Sequence, residues 1–294
     1  MRERPASHAG TWYSKSSEEL TAQLNKWLKN VTPIRGAKEN ENEPHDISGR
    51  FGVGPHAGYR FCGQVLAYLY ANINPEINRI ILMGPSHKQF FRGVRVSKFH
   101  TLETPLSSLD VDRDVVKDMV SKGLVTYLDE NIDISEHCLE MHYPFISLLF
   151  PHAKVVPLVF GAESDTNQYL EQYMAKFITP DSAQSTAFIV SSDFCHWGRH
   201  FCYQPFAGSD QIYQCIQDMD TKGMSVASGG STDEWDNYIE TTGNTICGQK
   251  PIRFLLSLSE VNNFNLHLEW LNYDQSSKVL YESESSVSYA AAIA

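Results

Sequence analysis

The chain has 294 residues, 42% of them hydrophobic and 20% charged, an ordinary globular composition with ample material for a large core. Twenty-four basic against 35 acidic side chains leave a net charge of −11, and no Lys/Arg cluster is dense enough to track a phosphate backbone, so nucleic acid is not an expected partner. No run reaches the roughly 18 consecutive apolar residues of a spanning helix, so no membrane insertion is expected either.

The start, Met1-Arg2-Glu3-Arg4-Pro5, is not followed by an apolar run, and Arg2 stands where myristoylation needs glycine, so neither a secretory signal nor that lipid anchor is expected. The six cysteines are scattered without a C-x-x-C pair, which points away from a disulfide framework and toward a reducing, intracellular compartment.

In chain order, Ser16-Ser17-Glu18-Glu19 opens a helix with Leu20, Leu24, Trp27 and Leu28 on one face. The polar stretch 36–50 reads as a solvated surface insertion. A buried strand follows at Phe51-Gly52-Val53-Gly54-Pro55-His56, then a helix over 63–73 and a second strand over 79–84 that runs into Pro85-Ser86-His87. A short strand is expected at 94–97, helices at 112–122 and 142–149, a strand at 154–160 and a helix at 166–177. The third buried run, 186–191, leads into Ser192-Asp193-Phe194-Cys195-His196. Helices over 210–219, 232–241 and 250–261 and strands over 265–273 and 286–291 complete the pattern. Strands alternating with helices predict one α/β domain over 1–294, with a central mostly parallel or mixed sheet and helices on both faces.

Three of these strands end directly in a histidine loop. In an open α/β sheet, loops at the carboxyl ends of strands build the ligand crevice, so His56, His87 and His196 are expected to converge. His56 and His87 read either as metal ligands or as satisfied strand-end caps. Asp193, three residues before His196, can orient that imidazole or hold its proton; otherwise it caps the next turn. Cys247, in Asn244-Thr245-Ile246-Cys247-Gly248, sits ahead of a helix, where the positive end of the dipole favours a thiolate; the alternative is an inert buried thiol. Glu136-His137-Cys138-Leu139-Glu140-Met141-His142 matches no zinc motif, and at helical spacing Glu136 and Glu140 share a face; it reads as pocket wall or as a solvated face.

Taken together, Ser7-His8-Ala9-Gly10-Thr11-Trp12-Tyr13, Pro55-His56-Ala57-Gly58-Tyr59, Gly84-Pro85-Ser86-His87, Glu136-His137, Glu140-Met141-His142, the 191–198 run, Asn244-Thr245-Ile246-Cys247-Gly248, the 272–277 run and the 286–291 run resemble the Memo family (mediator of ErbB2-driven cell motility), best its eukaryotic branch. The resemblance runs from about Ser7 to the C-terminus. It implies a fold similar to class III extradiol dioxygenases, with His56, His87 and Cys247 as metal ligands, the sulfur replacing the dioxygenases' carboxylate. It implies His196 as the acid/base group with Asp193 beside it, and a pocket at Trp12, Tyr59, Phe61, Glu140 and His142. Phe61 stands where some relatives carry Tyr. Copper or iron is the implied cofactor, with zinc as a further candidate, and the implied roles are oxidant signalling, cell motility and invasive growth, in the cytoplasm and also the nucleus.

Three functions compete. The first is a metal-binding redox protein; a sulfur ligand favours soft or borderline ions and is itself oxidisable, so ring-cleaving turnover is not expected. The second is an adaptor that holds a phosphotyrosine-containing peptide or another acidic signalling partner in the same pocket. The third is a metal-free hydrolase using Cys247, His196 and Asp193. The oligomeric state is left open.

Overall fold

The three runs that end in histidine loops lie side by side. In the computed structural model, which describes residues 2–34, 49–164, 166–178, 186–209, 211–229 and 231–294, the chain runs β1 (Glu3–Arg4), α1 (Ser17–Lys29), β2 (Phe51–Gly54), α2 (Tyr59–Asn72), β3 (Arg79–Pro85), β4 (Val94–Val96), β5 (Thr101–Leu102), β6 (Leu109–Asp110), α3 (Arg113–Ser121), β7 (Thr126–Tyr127), α4 (Glu130–Ser135), α5 (Tyr143–Leu149), β8 (Lys154–Phe160), α6 (Thr166–Met174), β9 (Thr186–Ser191), β10 (His196–Trp197), α7 (Ile212–Ser228), α8 (Thr232–Thr242), α9 (Gln249–Asn262), β11 (Glu269–Gln275) and β12 (Ser286–Ile293). The main sheet has the order β10-β12-β2-β9-β3-β8-β4-β7, with β11 also paired to β12; β1, β5 and β6 form a small separate sheet.

The centre, β2-β9-β3-β8, is parallel, while β12 and β4 flank it antiparallel. This is the expected mixed α/β sheet. Parallel neighbours put the carboxyl ends of β2, β9 and β3 at one sheet edge, and the three histidine loops leave from there. β2, β9 and most of β3 are buried at every position, as strands covered on both faces must be.

The pleat of β2 shows which helix covers which face. A Cβ on Gly52 or Gly54 would come within 2.4 or 2.7 Å of Leu69 on α2, so glycine lets α2 lie directly on that face. The alternate residue Phe51 turns the other way and meets Phe264, just beyond α9, with ring centroids 5.0 Å apart. On α9 itself, Phe254 packs on Phe160 of β8. One continuous apolar cluster therefore spans both faces, and a smaller one gathers Cys195, Trp197, Ile212, Ile216, Met219 and Val279.

Some expectations shift. The helix expected over 63–73 begins earlier, at Tyr59, and the one over 210–219 continues to Ser228. The alternation expected over 265–273 is real, since Leu266 and Leu268 are buried between exposed Asn265 and His267, but the ladder to β12 begins only at Glu269. The polar stretch 36–48 lies outside the described residues. Arg50 does not belong to a solvated stretch: it is buried, and its guanidinium donates to the carbonyls of Phe177, Ile178 and Thr186. All six cysteines are free, and no helix among the described residues is long and apolar enough to cross a membrane.

Candidate metal centre

His56 leaves β2 through Pro55 and is 1% exposed. Its Nδ1 is 2.7 Å from Ser191 Oγ, and that hydroxyl donates its only proton to the Cys138 carbonyl at 2.7 Å. Ser191 therefore accepts from His56 Nδ1–H, which leaves the lone pair on Nε2. That Nε2 lies 3.2 Å from Cys247 Sγ. The backbone N–H of His56 donates to Asp193 Oδ1 at 2.8 Å.

His87 leaves β3 through Pro85-Ser86 and is fixed in the same sense. The Glu136 carboxylate accepts from its Nδ1 at 2.9 Å and from its backbone N–H at 2.7 Å, again freeing Nε2. Burial works to raise the Glu136 carboxyl, but the hydrogen bonds it accepts from His87 outweigh it and hold it at about 2. A carboxylate behind an imidazole is the usual support of a metal-binding histidine.

The two rings meet edge to face, centroids 5.1 Å apart. Ligand-capable atoms of His56, His87 and His137 all lie within 4.8 Å of one another. Burial, together with the neighbouring histidines, lowers His56 well below the ordinary imidazole range and His137 to about 3, so both stay neutral, the form that ligates. The other close group, His87, Glu136 and Cys138, is committed internally: Glu136 serves His87, and Cys138 Sγ donates to the Pro85 carbonyl.

Cys247 precedes α9 as expected, but its thiol is not poised as a thiolate. Burial, and next the Asp193 charge, push it above the ordinary cysteine range against the weaker help of backbone N–H groups. Gly248 must be small here, because a Cβ would stand 2.3 Å from Ser192 Cβ. Cys247 and His87 both line a cleft of 390 Å³ shared with Lys88, Phe90, Phe160 and Lys250.

Asp193 and His196 do not pair. Asp193 turns to the backbone of His56, and burial raises its carboxyl to about 7. His196 Nδ1 lies 2.8 Å from the Phe194 carbonyl and 3.1 Å from the Thr245 carbonyl, both of which accept from it. Main-chain oxygens, not the carboxylate, orient that imidazole. A Cys247–His196–Asp193 hydrolase relay is therefore not assembled, since Cys247 meets His56 instead.

The resemblance-derived pocket divides. Trp12 is half-buried and packs against His137, centroids 4.5 Å apart. Tyr59 is a core residue whose hydroxyl donates to the Met141 carbonyl. Phe61 is 41% exposed at the start of α2, under the Arg60 guanidinium. Glu140 is 0% exposed and accepts from Arg4, Ser7, His8 and Tyr13. His142 is equally buried, with Nδ1 2.9 Å from the Tyr70 hydroxyl. Tyr59, Glu140 and His142 are thus buried groups and not exposed pocket wall. Glu136 and Glu140 do not share a helical face, because α4 ends at Ser135 and the chain turns between them.

Sequence reasoning missed Ser191 as the group that fixes His56, and it left His137 in the pocket wall. The only signals were the Ser191-Ser192 turn and the Glu136-His137 pair.

The chain is thus an α/β protein whose strand-end loops bring His56, His87 and His137 together at one sheet edge, with the Cys247 thiol against His56 and outside that group. The chain belongs to the Memo-like protein family, whose pattern it matches over residues 4–293. It is 36% identical to Protein MEMO1 of Homo sapiens over 298 residues, covering 98% of this chain and 96% of that one. It is also 36% identical to MEMO1 family protein MHO1 of Saccharomyces cerevisiae over 343 residues, covering 99% and 98%. Among solved structures, an uncharacterized protein of Escherichia coli K12 aligns with TM-score 0.47 at 13% identity, covering 82% of this chain and 98% of that one.

Proposed function

We propose that this chain is a metal-binding redox protein in which His56 and His87 hold a copper or iron ion and Cys247 supplies a sulfur donor. The observation that carries the reading is the preparation of His56: Ser191 takes Nδ1, and Nε2 points at Cys247 Sγ 3.2 Å away. Two imidazoles and a sulfur suit copper, iron or zinc and not magnesium or calcium. Bound there, the metal supplies Lewis acidity and, for copper or iron, one-electron exchange. The chain does the rest. Glu136 and Ser191 keep both Nδ1 atoms protonated, and Cys247 would release its proton to solvent on coordinating the ion. His196, oriented through Nδ1, offers Nε2 for proton exchange. The same proposal carries the cytoplasmic and nuclear location and the links to oxidant signalling, motility and invasive growth that family resemblance implies.

A second reading has its own observation. Lys88 and Lys250 stand in the cleft with Phe90 and Phe160, a cationic and aromatic lining that fits an acidic peptide such as one bearing phosphotyrosine, although no Arg lines it.

Anaerobic purification, elemental analysis and copper titration of wild type, His56→Ala, His87→Ala and Cys247→Ser test the metal reading. Each substitution is expected to weaken binding, His56→Ala most, and unchanged affinity in all three defeats it. Phosphotyrosine peptide titrated into the same samples decides the alternative: binding that ignores both the phosphate and the metal removes it.

A further inference from the structure

His137 has no task in the reading above, yet it stands inside the centre. Its ring stacks on His87 with centroids 4.5 Å apart and meets His56 edge to face at 5.4 Å. Trp12 backs it at 4.5 Å, and Glu136 Oε1 accepts its backbone N–H at 3.0 Å. Its Nδ1 is buried without a hydrogen-bond partner, the Glu136 carboxylate lying 3.5 Å away.

We propose that His137 is a third imidazole donor to the ion at His56 and His87, the three rings forming one close group that Cys247 adjoins through His56. The inference rests on the metal reading and extends it. Cys247 and His137 reach His56 from different segments, the turn before α9 and the loop after α4, so either can ligate without displacing the other's backbone. Three imidazoles hold a borderline divalent ion without the sulfur, and the sulfur adds affinity for the softer cuprous state. In this arrangement Trp12 packs against a ligand ring.

The test counts imidazoles. Metal-free chain is loaded with Cu(II) under anaerobic conditions, and electron spin-echo envelope modulation reads the number of coordinated rings. Wild type is expected to show three and His137→Phe two, with Cu(II) affinity about 10–100-fold lower. His137→Gly with added imidazole returns the count to three, which keeps the test sound if the Phe variant folds poorly. An imidazole count that neither substitution changes overturns the proposal and leaves the His56–His87–Cys247 reading standing. A wild-type chain that takes up no Cu(II) ends both.

Discussion

The Ser191 hydroxyl has one proton, and its direction decides what His56 can do. Because that proton goes to the Cys138 carbonyl, the imidazole is held in the tautomer that presents Nε2. Ser191→Ala is therefore expected to lower copper affinity about 10–100-fold, as loss of a supporting hydrogen bond does at other metal sites. It also leaves two buried groups unpaired, at about 1–3 kcal/mol each. Competition with a chelator, read beside a melting curve, checks this; wild-type affinity in a destabilised variant would show that the tautomer is set elsewhere. At this scale the sequence was legible where a side chain follows a strongly patterned element. His56 and His87 end apolar runs, and Cys247 precedes a helix. His137 was not legible, because its segment leaves helical geometry after Ser135 and spacing rules no longer apply. Asp193 and His196 misled for a related reason: they stand three positions apart, but the Phe194 carbonyl between them accepts from the imidazole N–H.

Elements were read well when they are long and fully buried. The strand at Lys154–Phe160 and the helix capped by Asp112, whose side chain accepts from the Val115 N–H, both sit where the pattern puts them. Strands of two residues, such as β1, β5, β6 and β10, carry no periodicity to read. The extension of α7 to Ser228 was hidden because part of its buried stripe is Asp220 and Gly223, which hydrophobicity does not flag. The join between α9 and the end of β9 sets the position of Cys247, and it depends on space. Gly248 has an ordinary negative φ of −85°, so any residue could adopt its conformation, yet a Cβ there would overlap Ser192, whose Oγ accepts the Gly248 N–H. Gly248→Ala is expected to destabilise the chain by about 1–3 kcal/mol, the usual cost of overpacking. It should also part Cys247 from His56, which would weaken the sulfur-to-metal charge-transfer absorption of a Co(II)-loaded sample. A variant with wild-type stability and spectrum would show that the join yields.

The whole molecule is tied together by buried charges, which in a sequence look like surface residues. Arg4 is 2% exposed and bridges Asp133 and Glu140, fastening the first residues to the wall of the centre, and Arg50 clasps the end of the β9 approach. Asp220 does the same work at the other end. Its Oδ1 accepts from the Asn244 side chain and the Cys195 backbone, and its Oδ2 from the Tyr273 hydroxyl, so one carboxylate joins α7, the loop that carries Cys247, the β9–β10 turn and β11. Burial raises its carboxyl from 3.8 to about 6, against the lowering effect of those hydrogen bonds. The folded chain thus holds a proton at a pH where the unfolded chain has lost it, and stability falls as pH rises. The contribution is complete below about 4 and gone once pH has passed through about 6; the gap corresponds to about 3 kcal/mol. Urea unfolding of wild type and Asp220→Asn at intervals from pH 4 to pH 7 should show the wild type losing ground to the variant by up to that amount, with most of the change complete by pH 6. Asparagine cannot ionise, so it supplies the flat reference. A difference that stays constant, or that grows in favour of the wild type with rising pH, would mean that the hydrogen bonds outweigh burial and that Asp220 is ionised throughout.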